Sequence, residues 1–395
     1  MSSFLNSLCC YSLTTNHLML FCIYYVVIEI KKSVGNGNNE NGKKIVLTGG
    51  GTAGHVMPNV ALLPLLEKEF TEIHYIGSHT GIENQIVSKL SNVKYHSIET
   101  AKLRRNFSLS NLKTPFKVLK GINNAKKLLE KIRPSVVFSK GGFVSYPVVR
   151  SAGKLGIPVV IHESDMTMGL ANRMSMKYAN VICTSFKKTA EEMAKKYPNK
   201  RVVWTGTPLR GEIFEGRCDS SSNIIGLSEN NKNLLIMGGS LGASAINGAV
   251  RDALPLINDW NVLHVVGRGK GFDIDGNGNY VQVEYLDEIW HALAWADVVV
   301  SRAGSNALCE LLALGKPTVF VPLTTGRGDQ IDNAREIKNA GAGLVLFEED
   351  MDSETLVECV DTVHKKREEL STKAKEFVKL GADVEIMKIL RKFNN

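Results

Sequence analysis

Lys44-Ile45-Val46-Leu47-Thr48 is a short apolar run that breaks into Gly49-Gly50-Gly51-Thr52-Ala53-Gly54-His55 and then into a helical pattern. A strand that turns through glycines into a helix start leaves several backbone N–H groups unpaired. It aims them, with the positive end of the helix dipole, at one point. That point suits a phosphate or an oxyanion. The arrangement recurs where Asn233-Leu234-Leu235-Ile236-Met237 runs into Gly238-Gly239-Ser240-Leu241-Gly242-Ala243. Two such openings predict two nucleotide-fold halves facing each other across a cleft, and 395 residues suffice for two domains.

From Lys44 onward, strand and helix patterns alternate. Strands are expected at 44–48, 73–77, 93–97, 135–138, 158–162, 180–184 and 202–205, then at 233–237, 261–266, 280–284, 297–301, 317–321 and 344–347. Such alternation means an α/β fold, with parallel sheets covered by helices on both faces. The expected division is a first domain over 44–210, a linker over 211–231 rich in Ser, Asn and Gly, and a second domain over 232–370. The region 371–395 is expected to be helical, with one helix over about 371–393. No strand follows for that helix to cover, so it is expected to cross back and pack on the first domain. Residues 1–43 read as a poorly ordered extension. Its apolar run, Leu18 to Ile28, is shorter than the roughly 18 residues that span a bilayer, and Lys31 and Lys32 follow it rather than precede it. A weak membrane anchor is the alternative.

With 44% hydrophobic and 22% charged residues the chain reads as a globular protein. Its seven cysteines form no C-x-x-C pair and are odd in number, against both a disulfide framework and a structural zinc site. The net charge of +8 is local: residues 101–133 hold seven Lys and three Arg against Glu130. One basic patch on a nearly neutral chain points to a single anionic surface or ligand rather than to nucleic acid.

Gly49-x-Gly51-x-x-Gly54 satisfies the dinucleotide fingerprint, but that reading needs an acid at the end of the second strand to hold a ribose. Here that strand ends in Gly77-Ser78. Gly238-x-Ser240-x-Gly242 has the spacing of a hydrolase nucleophile elbow, yet no later acid and histidine fall into a triad pattern; a glycine turn holding a diphosphate suits the same residues. Asp273-Ile274-Asp275-Gly276-Asn277-Gly278 with Glu284 fits the EF-hand expression, but strands flank it where helices are needed, so it reads as a turn. Asp297 to Asn306 is again a strand entering a helix, with Glu310 one turn inside. A carboxylate there can accept two hydrogen bonds from ribose hydroxyls, or can simply face solvent. His55 stands where a reacting hydroxyl would lie; plain packing is the alternative. Leu109, Leu112, Phe116 and Leu119 recur at helical spacing beside Lys113, Lys117 and Lys120. That face is either buried in an ordinary helix or laid against anionic lipid headgroups.

Taken in order, Gly49 to His55, Lys140-Gly141-Gly142-Phe143-Val144-Ser145, His162-Glu163-Ser164-Asp165, Gly206-Thr207-Pro208-Leu209-Arg210, Gly238 to Ala243 and Ser301-Arg302-Ala303-Gly304 to Glu310 resemble the MurG family. The resemblance runs from residue 44 to about 390. It implies a GT-B glycosyltransferase fold, two Rossmann-like parallel-sheet domains with the sugar nucleotide held mainly by the second and a lipid acceptor by the first. It implies inverting transfer of N-acetylglucosamine from UDP-GlcNAc to the 4-hydroxyl of the muramyl sugar of undecaprenyl-linked lipid I, with no metal and no cofactor. The alternative keeps the fold for a non-catalytic sugar-nucleotide binding or scaffolding protein. The donor contacts it implies are Thr52, Ala53, Gly54, Asp165, Arg210, Ser240, the backbone at Leu286, the helix start Ser305, Asn306, Ala307, Leu308, Cys309 and Glu310, and Gln330. Glu310 would hold the ribose and Gln330 would reach the sugar. His55 is the candidate base, because an imidazole with pKa near 6.5 accepts a proton at neutral pH, and Glu163 is the alternative. Leu112, Lys113, Phe116, Lys117, Leu119 and Lys120 form the candidate membrane patch. The implied setting is the cytoplasmic face of the cell membrane, peripherally, with other cell-wall synthesis proteins as partners and no nucleic acid. Asp165 stands where many members have Asn, and the N-terminal extension is foreign to the family.

Overall fold

The computed structural model describes residues 43–101, 114–218, 232–239, 242–273, 278–325 and 328–394. The central Val, Ile and Leu runs, such as Val136–Ser139 and Val298–Ser301, become strands buried on both faces, as a covered parallel sheet requires. β1 (Lys44–Thr48), β2 (Glu72–Ser78), β3 (Val93–Ile98), β4 (Val136–Ser139), β5 (Val159–Glu163), β6 (Val181–Thr184) and β7 (Arg201–Trp204) form one sheet, in the order β3-β2-β1-β4-β5-β6-β7. β8 (Lys232–Met237), β9 (Trp260–Val265), β10 (Tyr280–Val283), β11 (Val298–Ser301), β12 (Thr318–Phe320) and β13 (Leu344–Val345) form the second, in the order β10-β9-β8-β11-β12-β13. The pairings are parallel, with Ile45 opposite Ile73 on one side and Val136 on the other. Each expected strand is present, with its ends shifted by two residues or fewer.

Alternate side chains of a strand point to opposite faces, so each sheet carries two cores. In the first lobe Ile45 and Leu47 pack with Leu62 and Leu66 of the helix Met57–Leu66. Val46 and Ile76 pack on the other face with Leu129 of the helix Thr114–Ile132 and Val148 of the helix Ser145–Lys154. The second lobe repeats this layering, with Leu235 and Val299 on one face and Leu234 and Val300 on the other.

Where the pattern suggests one helix over 371–393, the structure has two, Arg367–Phe377 and Ala382–Arg391. Val378 is extended and Gly381 is left-handed at φ 76°, a conformation that costs a residue with a side chain roughly 1–2 kcal/mol. The break has a packing cause. Ala374 belongs to the core of the second lobe, whereas Ile386, Met387, Ile389 and Leu390 complete the core of the first, and a straight helix cannot serve both. The outgoing and returning segments cross at Gly206, at φ 82°, where an added Cβ would lie 2.2 Å from the carbonyl oxygen of Lys379. Lys379 Nζ donates to Trp204 O at 2.7 Å beside that crossing.

Candidate active site

A doubly wound sheet opens a crevice at the carboxyl ends of the two strands between which its winding reverses. In the first sheet that point lies between β1 and β4, and in the second between β8 and β11. A glycine turn stands at each. In the first, Gly51 is left-handed at φ 88° and the Gly50 N–H donates to Gly141 O at 3.3 Å. A Cβ on Gly142 would lie 2.1 Å from Gly50 O, so this turn meets the Lys140–Gly142 turn backbone to backbone. In the second, Gly242 is left-handed at φ 66°, and a Cβ there would lie 2.1 Å from Val266 O. The helix Ser244–Ala253 follows directly. Ser240 lies outside the described residues. Lys270 places its ammonium on this turn, donating to Gly242 O at 3.3 Å.

The first turn presents Thr52 exposed and Ala53, Gly54 and His55 half-buried. Thr52 Oγ1 and His55 Nδ1 are 2.9 Å apart, which fixes the ring. Behind the turn lies a buried polar group that begins with Lys140, whose Nζ is 2.6 Å from His162 Nδ1. His162 Nε2 is 2.8 Å from Gly206 O. A carbonyl only accepts, so Nε2 carries the proton and Nδ1 accepts from lysine. Burial lowers Lys140 to about 8, opposed by the nearby charges of Glu163 and Asp165.

Glu163 is buried, and four donors take its two oxygens. Oε1 accepts from the N–H groups of Ser164 at 2.9 Å and Asp165 at 3.2 Å, and Oε2 from the Gly169 N–H at 3.0 Å and Asn172 Nδ2 at 2.9 Å. A carboxylate has about four acceptor positions. Glu163 is therefore committed to shaping the loop 163–172, although burial and the Asp165 charge push its pKa up.

That loop meets the second lobe at Asn333. Asn333 Oδ1 accepts from the Met166 N–H at 3.1 Å, and Nδ2 donates to Asp165 Oδ1 at 3.3 Å and to Ala303 O at 3.1 Å. Asp165 thus sits on the lobe boundary. Arg210 also stands there, donating from Nε at 3.3 Å and Nη2 at 3.1 Å to Glu310 Oε1. Burial pushes the Glu310 carboxyl up and the guanidinium opposes it. Two of the expected donor contacts are therefore ion-paired.

The helix Ser305–Leu314 begins after Gly304, with Ser305, Asn306 and Ala307 half-buried at its start. Asn306 Oδ1 is buried without a hydrogen-bond partner among the described residues. Leu308 and Cys309 turn their side chains into the core, and the Thr207 hydroxyl donates to Cys309 Sγ at 3.4 Å. For these two, only the backbone is left to meet a ligand. Gln330 Oε1 accepts from the Leu323 N–H at 3.0 Å, which ties down the loop after β12. Leu286 is half-buried against the second lobe's core.

In the basic segment, Thr114, Gly121, Ala125, Leu129 and Ile132 are buried, while Phe116 and Leu119 stay 75% and 57% exposed beside exposed Lys117 and Lys120. The reading in which this helix buries Phe116 and Leu119 is therefore corrected. Leu109, Leu112 and Lys113 lie outside the described residues, as do 1–42, 219–231 and 274–277. Strands β9 and β10 flank the Asp273 turn. Among the described residues no group of three or more His, Cys, Asp or Glu could hold a metal ion, and no helix is long and apolar enough to cross a membrane.

Sequence reasoning passed over Lys140, Lys270 and Asn333. Lys140 stands at a strand end beside Gly141 and Gly142, and that is its signal. Nothing local marked Asn333 or Lys270, whose partners are distant in sequence.

The profile of the glycosyltransferase family 28 N-terminal domain matches residues 45–184, and that of the family's C-terminal domain matches 233–388. A curated relative from Lachnospira eligens is 48% identical over 82% of this chain and 92% of its own length. One from Geobacillus kaustophilus is 44% identical over 88% of this chain and 97% of its own. Both are named UDP-N-acetylglucosamine--N-acetylmuramyl-(pentapeptide) pyrophosphoryl-undecaprenol N-acetylglucosamine transferase. The crystal structure of Acinetobacter baumannii MurG superposes with a TM-score of 0.69 at 25% identity, over 89% of this chain and 99% of that one.

Proposed function

The chain belongs to glycosyltransferase family 28, among its MurG members, and from that premise we propose that it transfers N-acetylglucosamine from UDP-GlcNAc to the muramyl 4-hydroxyl of lipid I, with inversion, to give lipid II. The observation that carries this reading is the meeting of Arg210 and Glu310 at the boundary between two switch-point crevices. A donor spanning the second crevice would present its ribose to Glu310 and its diphosphate to Arg210, to Lys270 and to the helix start at Ser244. Preorganised positive groups of this kind stabilise the charge of a departing diphosphate by several kcal/mol.

His55 is the base in this reading. Glu163 is less suited, since its oxygens already accept four hydrogen bonds. In this reading Thr52 Oγ1 holds the ring at Nδ1, and Nε2 is the nitrogen that takes the proton of the acceptor hydroxyl. Lys140 and His162 act one layer back, holding the turns that frame this ring. Asn306 Oδ1, buried and without a partner among the described residues, would accept from a hydroxyl of the sugar nucleotide.

The acceptor is a lipid, so the protein has to reach a membrane. Phe116 and Leu119, each followed by an exposed lysine, Lys117 and Lys120, supply an apolar tip with adjacent cations, which fits peripheral docking at the cytoplasmic leaflet. Replacing Lys117 and Lys120 by Glu is expected to cut binding to anionic vesicles about tenfold or more, at about 1 kcal/mol per lysine near the surface; unchanged cosedimentation would remove the patch. The reading as a whole is tested by radiolabelled transfer from UDP-GlcNAc to a short-chain lipid I analogue, with UDP-GalNAc and UDP-glucose as competitors. Tight UDP-GlcNAc binding with no transfer would favour the non-catalytic alternative.

A further inference from the structure

Glu83 lies wholly buried behind the first glycine turn, in a region assigned no role above. Its Oε1 accepts from the Ser78 N–H at 3.0 Å and from the Ser78 hydroxyl at 2.5 Å, and its Oε2 accepts from the Gly51 N–H at 3.1 Å. All three partners donate, and a carboxylate is the side-chain group that only accepts. Three glycines make its room. A Cβ on Gly50 would lie 2.5 Å from Glu83 Cδ, one on Gly77 2.8 Å from Cγ, and one on Gly81 2.3 Å from Oε1. None of the three has a left-handed φ, so their missing side chains are explained by occupied space rather than by backbone conformation, with Glu83 against Gly50 and Gly81 and the Tyr95 hydroxyl, 2.3 Å from a Cβ on Gly77, sharing the third. Two phenols wall the site. Tyr75 Oη donates to Gly49 O at 2.6 Å and Tyr95 Oη donates to Ser78 O at 2.5 Å. Burial above all, together with the nearby Glu83 charge, pushes both pKa values up and keeps them as donors.

We propose that Glu83 is a built-in anion that ties the Gly51 N–H of the first glycine turn to the end of β2 and, through Gly51 and Thr52, positions His55 for the acceptor hydroxyl. The inference rests on the transferase reading given above. One N–H of the turn that opens like a phosphate site is thus taken by the chain's own carboxylate, and the rigidity this gives passes to the histidine four residues beyond Gly51. Glu83 is a positioning residue: it touches neither substrate.

Glu83→Gln keeps the shape and removes the fit. Each oxygen takes at least one backbone N–H, so whichever becomes an amide nitrogen sets donor against donor. The expected result, with a short-chain lipid acceptor, is a loss in kcat of tenfold or more while KM for UDP-GlcNAc stays within twofold. A purely structural residue would instead lower the active fraction, and with it the stoichiometry of UDP binding. Ser78→Ala removes one donor of three and is expected to lower kcat about threefold with the same unchanged KM; it serves if Glu83→Gln does not fold. Wild-type kcat in either folded variant, or a KM for UDP-GlcNAc that rises as kcat falls, would overturn the proposal. Absence of transfer by the wild-type protein would overturn the transferase reading instead, so the two failures are distinct.

Discussion

The two glycine turns arise from the same strand, turn and helix pattern and end with different groups set against them. Behind the first lies the Glu83 carboxylate, bonded to the Gly51 N–H. Against the second lies the Lys270 ammonium, with Arg210 at the lobe boundary beyond. The first turn thus gives its Gly51 N–H to a carboxylate of the chain itself, whereas the second carries a cation on its Gly242 carbonyl. A glycine fingerprint therefore reports how closely backbones approach, and the side chain behind it decides what may enter.

If the first turn serves the acceptor and the second the donor, substitutions should separate kcat from donor affinity. The largest effect is expected for His55→Ala, with kcat lower by roughly 10³-fold and UDP binding by calorimetry unchanged. A change in UDP affinity there would break the contrast, and a normal kcat would remove His55 as base. Next in size is the charge held behind the first turn. Lys140, lowered to about 8 by burial, titrates near 10.4 once unfolded. Between those values the unfolded chain keeps a proton that the native chain has released, so stability rises with pH across that window. Denaturant titrations should show wild type gaining on Lys140→Met by about 3 kcal/mol from pH 8 to 10.4, with no relative change below pH 7. In the second lobe, Glu310→Ala should weaken UDP binding about tenfold with a smaller effect on kcat. Lys270→Ala should weaken it about threefold, an effect that fades in high salt. Loss of kcat without loss of affinity in these two variants would reverse the assignment of the turns.

Much of the fold was legible because parallel strands buried on both faces leave contiguous apolar runs, such as Val298-Val299-Val300, that a glycine turn or helix pattern then ends. Gly381 gave a local hint of the C-terminal break, but its cause, the need to cover two cores, is a property of the assembled lobes. The site was legible where chemistry sits on consecutive residues, as in Thr52 to His55. It was not legible where a partner comes from a distant segment. Glu83 follows an ordinary-looking Gly81-Ile82, and only the folded chain brings Gly50 and Gly51 against it. Asn333 reads as a polar residue inside a helix, and Arg210 and Glu310 gave no sign that they would pair.

The helix Ala382–Arg391 bears on how the protein is made. Ile386, Met387, Ile389 and Leu390 finish a core begun at Ile45, and burying each contributes about 1.5–3 kcal/mol. A ribosome emits β1 through β7 long before it emits these residues, so the usual order in which an N-terminal unit matures first does not hold here. The nascent first lobe waits with an uncovered apolar face while the second is translated, and a gene split between the lobes would yield two fragments, one of them lacking its cover.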